Sequence, residues 1–280
     1  MKISRRKLLR YSLAAGCLGL GGYVWQIEPS WTAYEKRELQ IPNLSNDLIG
    51  KTLIQFSDLH IGRKVADNYL SNQFAYVKSL RPDFVVYTGD FIDDPTPYHL
   101  NKLQRLASEF PLGSIGTAGV LGNHDYVRTT QDCTMADKVI NELNDSGVNV
   151  LLDSTINFGG LTIAGLDDLW SPRFAQGRCK DVVQSLSGPS IVLSHNPDSV
   201  DLPIWNGYSS WVLCGHTHGG QCRIPGFAPP FLPVRNRNYV AGSYQLKGGH
   251  KMYINRGLGH SMKVRFFVRP EITVFTLAKA

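Results

Sequence analysis

The sequence predicts an α/β fold in which two sheets pack together with helices outside them, an αββα sandwich with its site at the carboxyl ends of strands. Three observations carry this. From Lys51 onward strand-like and helix-like patterns alternate, as in layered α/β folds. Beyond residue 144 helical periodicity thins and short strand-like runs take over. Five strand candidates each end in a polar cluster, and layered α/β folds gather their sites at the carboxyl ends of strands.

Residues 52–56 (TLIQF) form the first strand candidate, closed by Ser57-Asp58. Residues 69–80 place Leu70, Phe74, Val77 and Leu80 on one helical face, and Arg81-Pro82 stops that helix. Residues 83–88 (DFVVYT) read as a buried strand running into Gly89-Asp90. A helix over 100–110, a strand over 117–121 ending in Gly122-Asn123-His124-Asp125, and a helix over 132–144 follow. Gly159-Gly160 between the runs 155–158 and 161–164 marks a hairpin. Residues 191–193 lead into Ser194-His195, and 210–213 into Cys214-Gly215-His216. Three strand-like runs, 239–245, 252–255 and 272–277, complete the chain.

Residues 1–32 read as an address and 33–280 as the body. The start, MKISRRKLLRYSLAAGCLGLGGYVW, is a basic head followed by the apolar run 11–25, which suits a signal core and is short for a spanning helix of about 20 residues. Ser4-Arg5-Arg6-Lys7-Leu8-Leu9 resembles a twin-arginine export signal, with Leu8 where Phe is more usual. No A-x-A site follows, which favours an uncleaved anchor in the bacterial inner membrane. The positive-inside rule then puts the body in the periplasm, whereas a segment lying in the interface would leave the body on the cytoplasmic face.

A hydrophobic content of 42% and a charged content of 19% are those of an ordinary globular chain and exclude extended disorder. Five cysteines without a CxxC exclude a disulfide scaffold. From Arg223 to the end ten Lys and Arg face the single acid Glu271. A basic segment of that kind suits nucleic acid, membrane headgroups or a phosphorylated substrate. No interleaving of basic and aromatic residues suggests a base-stacking platform, so nucleic acid is the least favoured partner. No protein partner is predicted.

The clusters at the strand ends are Asp58-Leu59-His60, Gly89-Asp90, Gly122-Asn123-His124-Asp125, Ser194-His195 and Gly215-His216-Thr217-His218. Any one histidine here is more often a satisfied polar residue than a ligand; the set together is another matter. Nitrogen and oxygen donors without thiolate suit divalent Mn, Fe or Zn. Asp58, His60, Asp90, Asn123, His195, His216 and His218 are too many for one tetrahedral ion, whereas two ions sharing one carboxylate use all seven. The stretch CGHTHGGQC then reads as half of a metal site with Cys214 and Cys222 as bystanders. The turn aspartates, including Asp93, Asp94, Asp167 and Asp168, and His250 and His260 carry no motif.

These motifs, D-x-H, G-D, G-N-H-D, H and G-H-x-H in order, resemble those of the calcineurin-like metallophosphoesterases. The likeness spans about residues 51–280 and is closer still to a bacterial YaeI-type subgroup of phosphodiesterases, with Gly215–Gln221 matching its GHTHGGQ segment and Asn255–Gly259 its SRGLG segment apart from Asn255 in place of Ser. The resemblance implies that Asp58, His60 and His218 hold one ion and that Asn123, His195 and His216 hold the other. Asp90 would bridge them. It also implies hydrolysis of phosphodiesters by a hydroxide held between the ions, with His124 stabilising the transition state or protonating the leaving oxygen. Asp125 is expected to orient the His124 imidazole.

After the last candidate ligand, RIPGFAPPFLPVRNR is apolar and proline-rich, with Arg223, Arg235 and Arg237 expected to bind phosphate. An apolar lip beside a phosphate site suits a lipid-linked phosphodiester. The alternatives are a UDP-2,3-diacylglucosamine pyrophosphatase of lipid A synthesis, a nuclease or nucleotide phosphodiesterase, and a metal-bound scaffold without turnover.

Overall fold

Successive side chains of a strand face opposite ways, and in this protein each way leads to a different core. On β3 (Phe84–Thr88), Phe84 and Val86 point between the two sheets, whereas Val85 and Tyr87 point out beneath helices. The computed structural model describes residues 4–127 and 131–280; Lys2 of the basic head lies outside them. The first sheet contains β1 (Ala33–Ile41), β2 (Thr52–Phe56), β3, β4 (Gly116–Val120), β5 (Asn149–Val150) and β12 (Glu271–Lys279), in the order β1-β12-β2-β3-β4-β5. The second contains β6 (Ser154–Phe158), β7 (Leu161–Gly165), β8 (Ser190–Leu193), β9 (Trp211–Cys214), β10 (Gly242–Gln245) and β11 (Lys251–Ile254), in the order β10-β11-β9-β8-β7-β6.

The central strands β2, β3 and β4 run parallel, as do β7, β8, β9 and β11, so the site-bearing carboxyl ends of each sheet lie on one edge. The helices α2 (Asp67–Ser79), α3 (Pro97–Ala107) and α4 (Thr134–Asp145) cover the first sheet through Leu70, Phe74, Leu103, Val139 and Leu143. The helix α5 (Gln176–Ser185) covers the second through Cys179 and Val183. Between the sheets Leu53, Phe84 and Val120 meet Ile163, Ile191 and Leu213. Gln55, fully buried, donates from Nε2 to the Thr88 hydroxyl at 3.0 Å and to the Cys214 carbonyl at 2.9 Å, tying the sheets together next to the site.

The fold is the predicted two-sheet sandwich, with differences at its margins. Strand β1 is absent from the reading of the sequence because AYEKRELQI buries only Leu39 and Ile41, and its charges suit an edge strand. The polar helix α5 escapes for the same reason. The strand expected over 239–245 begins only at Gly242, because the Val240 carbonyl accepts the Thr217 hydroxyl instead.

The helix α1 (Arg5–Gly22) buries no residue, and its chain continues through a π-helical turn, Tyr23–Ile27, to buried Glu28 and Pro29. Among the described residues no helix is long and apolar enough to cross a membrane.

Candidate metal centre

Five of the seven candidate ligands sit in the left-handed backbone region: Asp58 (φ 53°), His60 (47°), Asp90 (56°), His216 (70°) and His218 (50°). That conformation is uncommon for side-chain-bearing residues and persists where the surroundings enforce it, typically at functional sites. Here the loops leaving β2, β3 and β9 fold back sharply so that their side chains turn inward. Glycines make room. A methyl group on Gly122 would collide with Asp90 Oδ1, and one on Gly215 with the Ser57 hydroxyl and Asp58 Oδ2. Gly215→Ala should therefore displace Asp58 and lower metal content and activity by about 100-fold. Elemental analysis beside a diester assay checks this, and a fully loaded, active variant would refute it.

The donors converge on Asp90. Its Oδ1 accepts the His124 backbone N–H at 2.8 Å, which leaves Oδ2 facing two imidazoles, His195 Nε2 at 3.3 Å and His60 Nε2 at 3.6 Å. On one side Asp58 Oδ1 lies 3.4 Å from His218 Nε2, and the two ring nitrogens of His60 and His218 approach to 3.1 Å. Asp58 Oδ2 is held by the Ser57 hydroxyl at 2.6 Å and the His216 N–H at 3.1 Å. On the other side His216 Nδ1 lies 3.1 Å from His195 Nε2. The donor atoms of Asp58, His60 and His218 lie within 4.8 Å of one another, as do those of Asp90, His195 and His216.

Tautomers follow from the outer contacts, because a carbonyl can only accept. His195 Nδ1–H donates to the Thr88 carbonyl at 2.7 Å and His216 Nε2–H to the Pro233 carbonyl at 2.7 Å. Each ring thus turns its bare nitrogen inward. Asn123 Oδ1 is buried with no hydrogen-bond partner among the described residues, an acceptor in want of a cation. Facing lone pairs, clustered carboxylates and an orphaned amide oxygen fit two divalent ions sharing Asp90.

In the metal-free cluster three of the four imidazoles are neutral, and His195 holds a proton that a bound metal ion would displace. Burial holds His60 and His218 well below the ordinary imidazole range and His216 down at about 3, so all three rings are neutral and can offer a lone pair. Burial also opposes the charge on His195, but Asp90, Asp58 and Asp168 overcome it and raise its pKa well above the usual value. Burial pushes the carboxyls of Asp58, Asp168 and Asp125 up to about 6, about 7 and about 8. Each raised carboxyl lets the metal-free folded protein hold a proton that the unfolded chain has lost, but below about pH 6.5 the neutral His60, His216, His218 and His260 act oppositely, so stability falls as pH rises only between about 6.5 and about 8. His195 acts in the same sense; its contribution is complete below about 6.5 and lost as pH rises through its folded value. The lowered Asp90 acts oppositely, but only below about pH 4. Metal-free protein should lose on the order of 5–10 °C in Tm from about pH 6.5 to 8. Excess Mn²⁺ should reverse that trend, because it binds the deprotonated forms. Thermal melts with and without metal test this, and a flat metal-free profile would refute it.

His124 lines the cleft above the cluster, its ring edge-on to His60 at 4.8 Å. Its Nδ1–H donates to the Asp93 carbonyl at 2.6 Å. The expected orientation by Asp125 is corrected here: the Asp125 carboxylate accepts the N–H groups of Ile92 at 3.1 Å and Gly122 at 2.8 Å and so shapes the loop rather than holding the ring. Asp93, read from sequence as a turn residue, also brings Oδ1 to 3.8 Å from His60 Nδ1 and pairs with Lys64 at 3.0 Å. Its spacing of three from Asp90 was the available signal.

A cleft of about 560 Å³ opens over the cluster, lined by Asp90, Asn123, His124, His216 and His218 on its floor. Trp170, Phe231, Pro233 and Met262 form apolar walls. Trp170 packs edge-on against His216 at 4.8 Å, and its backbone N–H donates to Asp168 Oδ1 at 2.8 Å. Gln221 ties the ligand loop to the facing wall, donating to the carbonyls of Met262 and Val264 at 2.8 Å. Arg223, Arg235 and Arg237, expected to bind phosphate, are not among the lining residues. Arg237 donates to the Pro229 carbonyl at 3.0 Å, the Arg235 N–H to Asp198 at 2.7 Å and the Arg223 N–H to the Phe266 carbonyl at 2.8 Å; these contacts shape the lip. His250 stacks on Trp205 at 5.1 Å in the outer core, away from the mouth.

The family profile described as calcineurin-like phosphoesterase matches residues 51–220. The chain is 31% identical to an uncharacterized metallophosphoesterase, YkuE, of Bacillus subtilis, over 99% of this chain and 98% of that one. It is 30% identical to the phosphodiesterase YaeI of Escherichia coli, over 98% and 99%. To the UDP-2,3-diacylglucosamine pyrophosphatase LpxG of Chlamydia muridarum it is 24% identical, over 90% and 92%.

Proposed function

The chain belongs to the calcineurin-like phosphoesterase family, and from that premise we propose that it is a dinuclear-metal phosphodiesterase acting at the bacterial inner membrane on a lipid-linked phosphodiester. The observation that carries the reading is Asp90 Oδ2 set between His195 Nε2 at 3.3 Å and His60 Nε2 at 3.6 Å, with no thiolate in the cluster. Asp58, His60 and His218 would hold one ion, Asn123, His195 and His216 the other, and Asp90 both. Such a pair, of Mn, Fe or Zn, when bound supplies an acidified water and neutralises charge on phosphate oxygens.

The remaining work falls to the chain itself. The His124 N–H keeps Asp90 turned toward the cluster. The Asp93 carbonyl holds the His124 Nδ1–H, which leaves Nε2 as the nitrogen that takes up a proton to form the imidazolium and then hands that proton to the leaving oxygen. Trp170, Phe231 and Met262 keep water from the flanks of the substrate and suit an acyl chain. The basic helix α1 supports membrane attachment. Export through the twin-arginine-like start would place the body in the periplasm, and an interfacial helix would leave it facing the cytoplasm.

A second reading, a UDP-2,3-diacylglucosamine pyrophosphatase, is favoured by the similarity to LpxG and requires the cytoplasmic face. The deciding experiment assays bis-p-nitrophenyl phosphate and UDP-2,3-diacylglucosamine side by side with Mn²⁺. Turnover of the diester alone supports the first reading. Preference for the lipid nucleotide supports the second, and turnover of neither sinks both.

A further inference from the structure

One short segment, residues 262–269, touches the cleft, the lip and the root of the N-terminal helix at once. Met262 and Val264 line the cleft. The Phe266 carbonyl accepts the Arg223 N–H at 2.8 Å, joining the segment to the lip. On its other side the Arg265 N–H donates to the Val24 carbonyl at 3.1 Å, and the Val268 N–H donates to Glu28 Oε1 at 2.6 Å. Arg269 lies 4.0 Å over the Trp31 ring. The helix that buries nothing therefore leaves the body at the rim of the cleft.

That rim is apolar where it faces outward. Phe227 is 70% exposed, Phe231 67%, and Met262 and Phe267 each 62%. No Asp or Glu occurs between Leu202 and Pro270, Glu35 and Glu271 beside Phe267 are both paired with Arg256, and Arg223, Lys263 and Arg269 lie in or beside the rim. Exposed apolar side chains bordered by cations, next to a basic apolar helix, are the chemistry of an anionic bilayer interface.

We propose that the lip around Phe227 and the segment 262–269 form a membrane-docking face that seats the cleft mouth on an anionic phospholipid surface, so that substrate enters from the bilayer. This deepens the reading above and rests on it for the substrate. The docking itself needs no turnover, and its test is independent of activity.

The full chain, loaded with Mn²⁺, is bound to vesicles of phosphatidylcholine and phosphatidylglycerol containing a phosphatidylcholine with a diazirine on its acyl chain. After illumination, cross-linked peptides are mapped by mass spectrometry. Cross-links should appear at 224–231 and 262–267 as well as along 11–31. The double variant F227D/F267D should lose the lip cross-links by about tenfold while keeping those of the helix. It should hydrolyse bis-p-nitrophenyl phosphate in detergent at the wild-type rate, since neither residue lines the cleft. Cross-links confined to 11–27, or lip cross-links indifferent to the double substitution, would overturn the proposal. Failure of the wild type to hydrolyse the soluble diester would count against the enzymatic reading alone.

Discussion

Asp90→Asn should reduce turnover of bis-p-nitrophenyl phosphate by about 1,000-fold and strip the protein of at least one metal ion. The reason is geometric as well as electrostatic. Asp90 Oδ1 accepts the His124 N–H at 2.8 Å, and in the variant the amide oxygen keeps that bond. The amide NH₂ is then aimed where Oδ2 stood, between His195 Nε2 and His60 Nε2. The carboxylate proposed to be shared by both ions would be replaced by a donor with no lone pair to offer. His195 also loses the carboxylate that does most to raise its pKa. Elemental analysis and a Mn²⁺ titration of the rate check both halves of the prediction. A variant within threefold of wild type would mean that the cluster is not the reaction centre.

His124→Ala should behave differently. Loss of a proton donor costs about 10²–10⁴-fold in kcat, yet metal content should not change, because the backbone N–H that orients Asp90 survives the substitution. The defect should grow with the basicity of the leaving group. p-Nitrophenolate departs without help, so bis-p-nitrophenyl phosphate should show the low end of the range and an alkyl diester the high end. Added imidazole should restore part of the rate. Equal losses on both substrates, with metal content reduced, would make His124 a structural or ligating residue instead.

The elements of the fold differ in how openly the sequence announces them. Strands β2, β3, β8 and β9 are runs of buried apolar residues, and a polar cluster marks the end of each. Strand β1 and helix α5 give no such signal, since most of their residues face solvent. The seven candidate donors were legible because each follows its strand within a few residues. Asp93 and Asp168 gave weaker signals, because an aspartate in a turn looks the same whether it caps a loop or faces a site histidine. The three lip arginines were misleading for a related reason: chain proximity to His218 says nothing about which way a side chain or amide turns.

What the sequence alone determined is the donor inventory and its division into short strand-end clusters, because a metal site needs particular atoms and neighbouring residues supply them. What only the tertiary structure decided is how those atoms are aimed. His195 is set by a carbonyl on Thr88, 107 residues away, and His216 by one on Pro233. The placement of the N-terminal helix at the cleft rim depends on hydrogen bonds from Arg265 to Val24 and from Val268 to Glu28. Such contacts join residues that no local pattern relates. They form only once apolar burial has stacked the two sheets and brought distant backbone groups within reach, where leaving them unpaired would be costly.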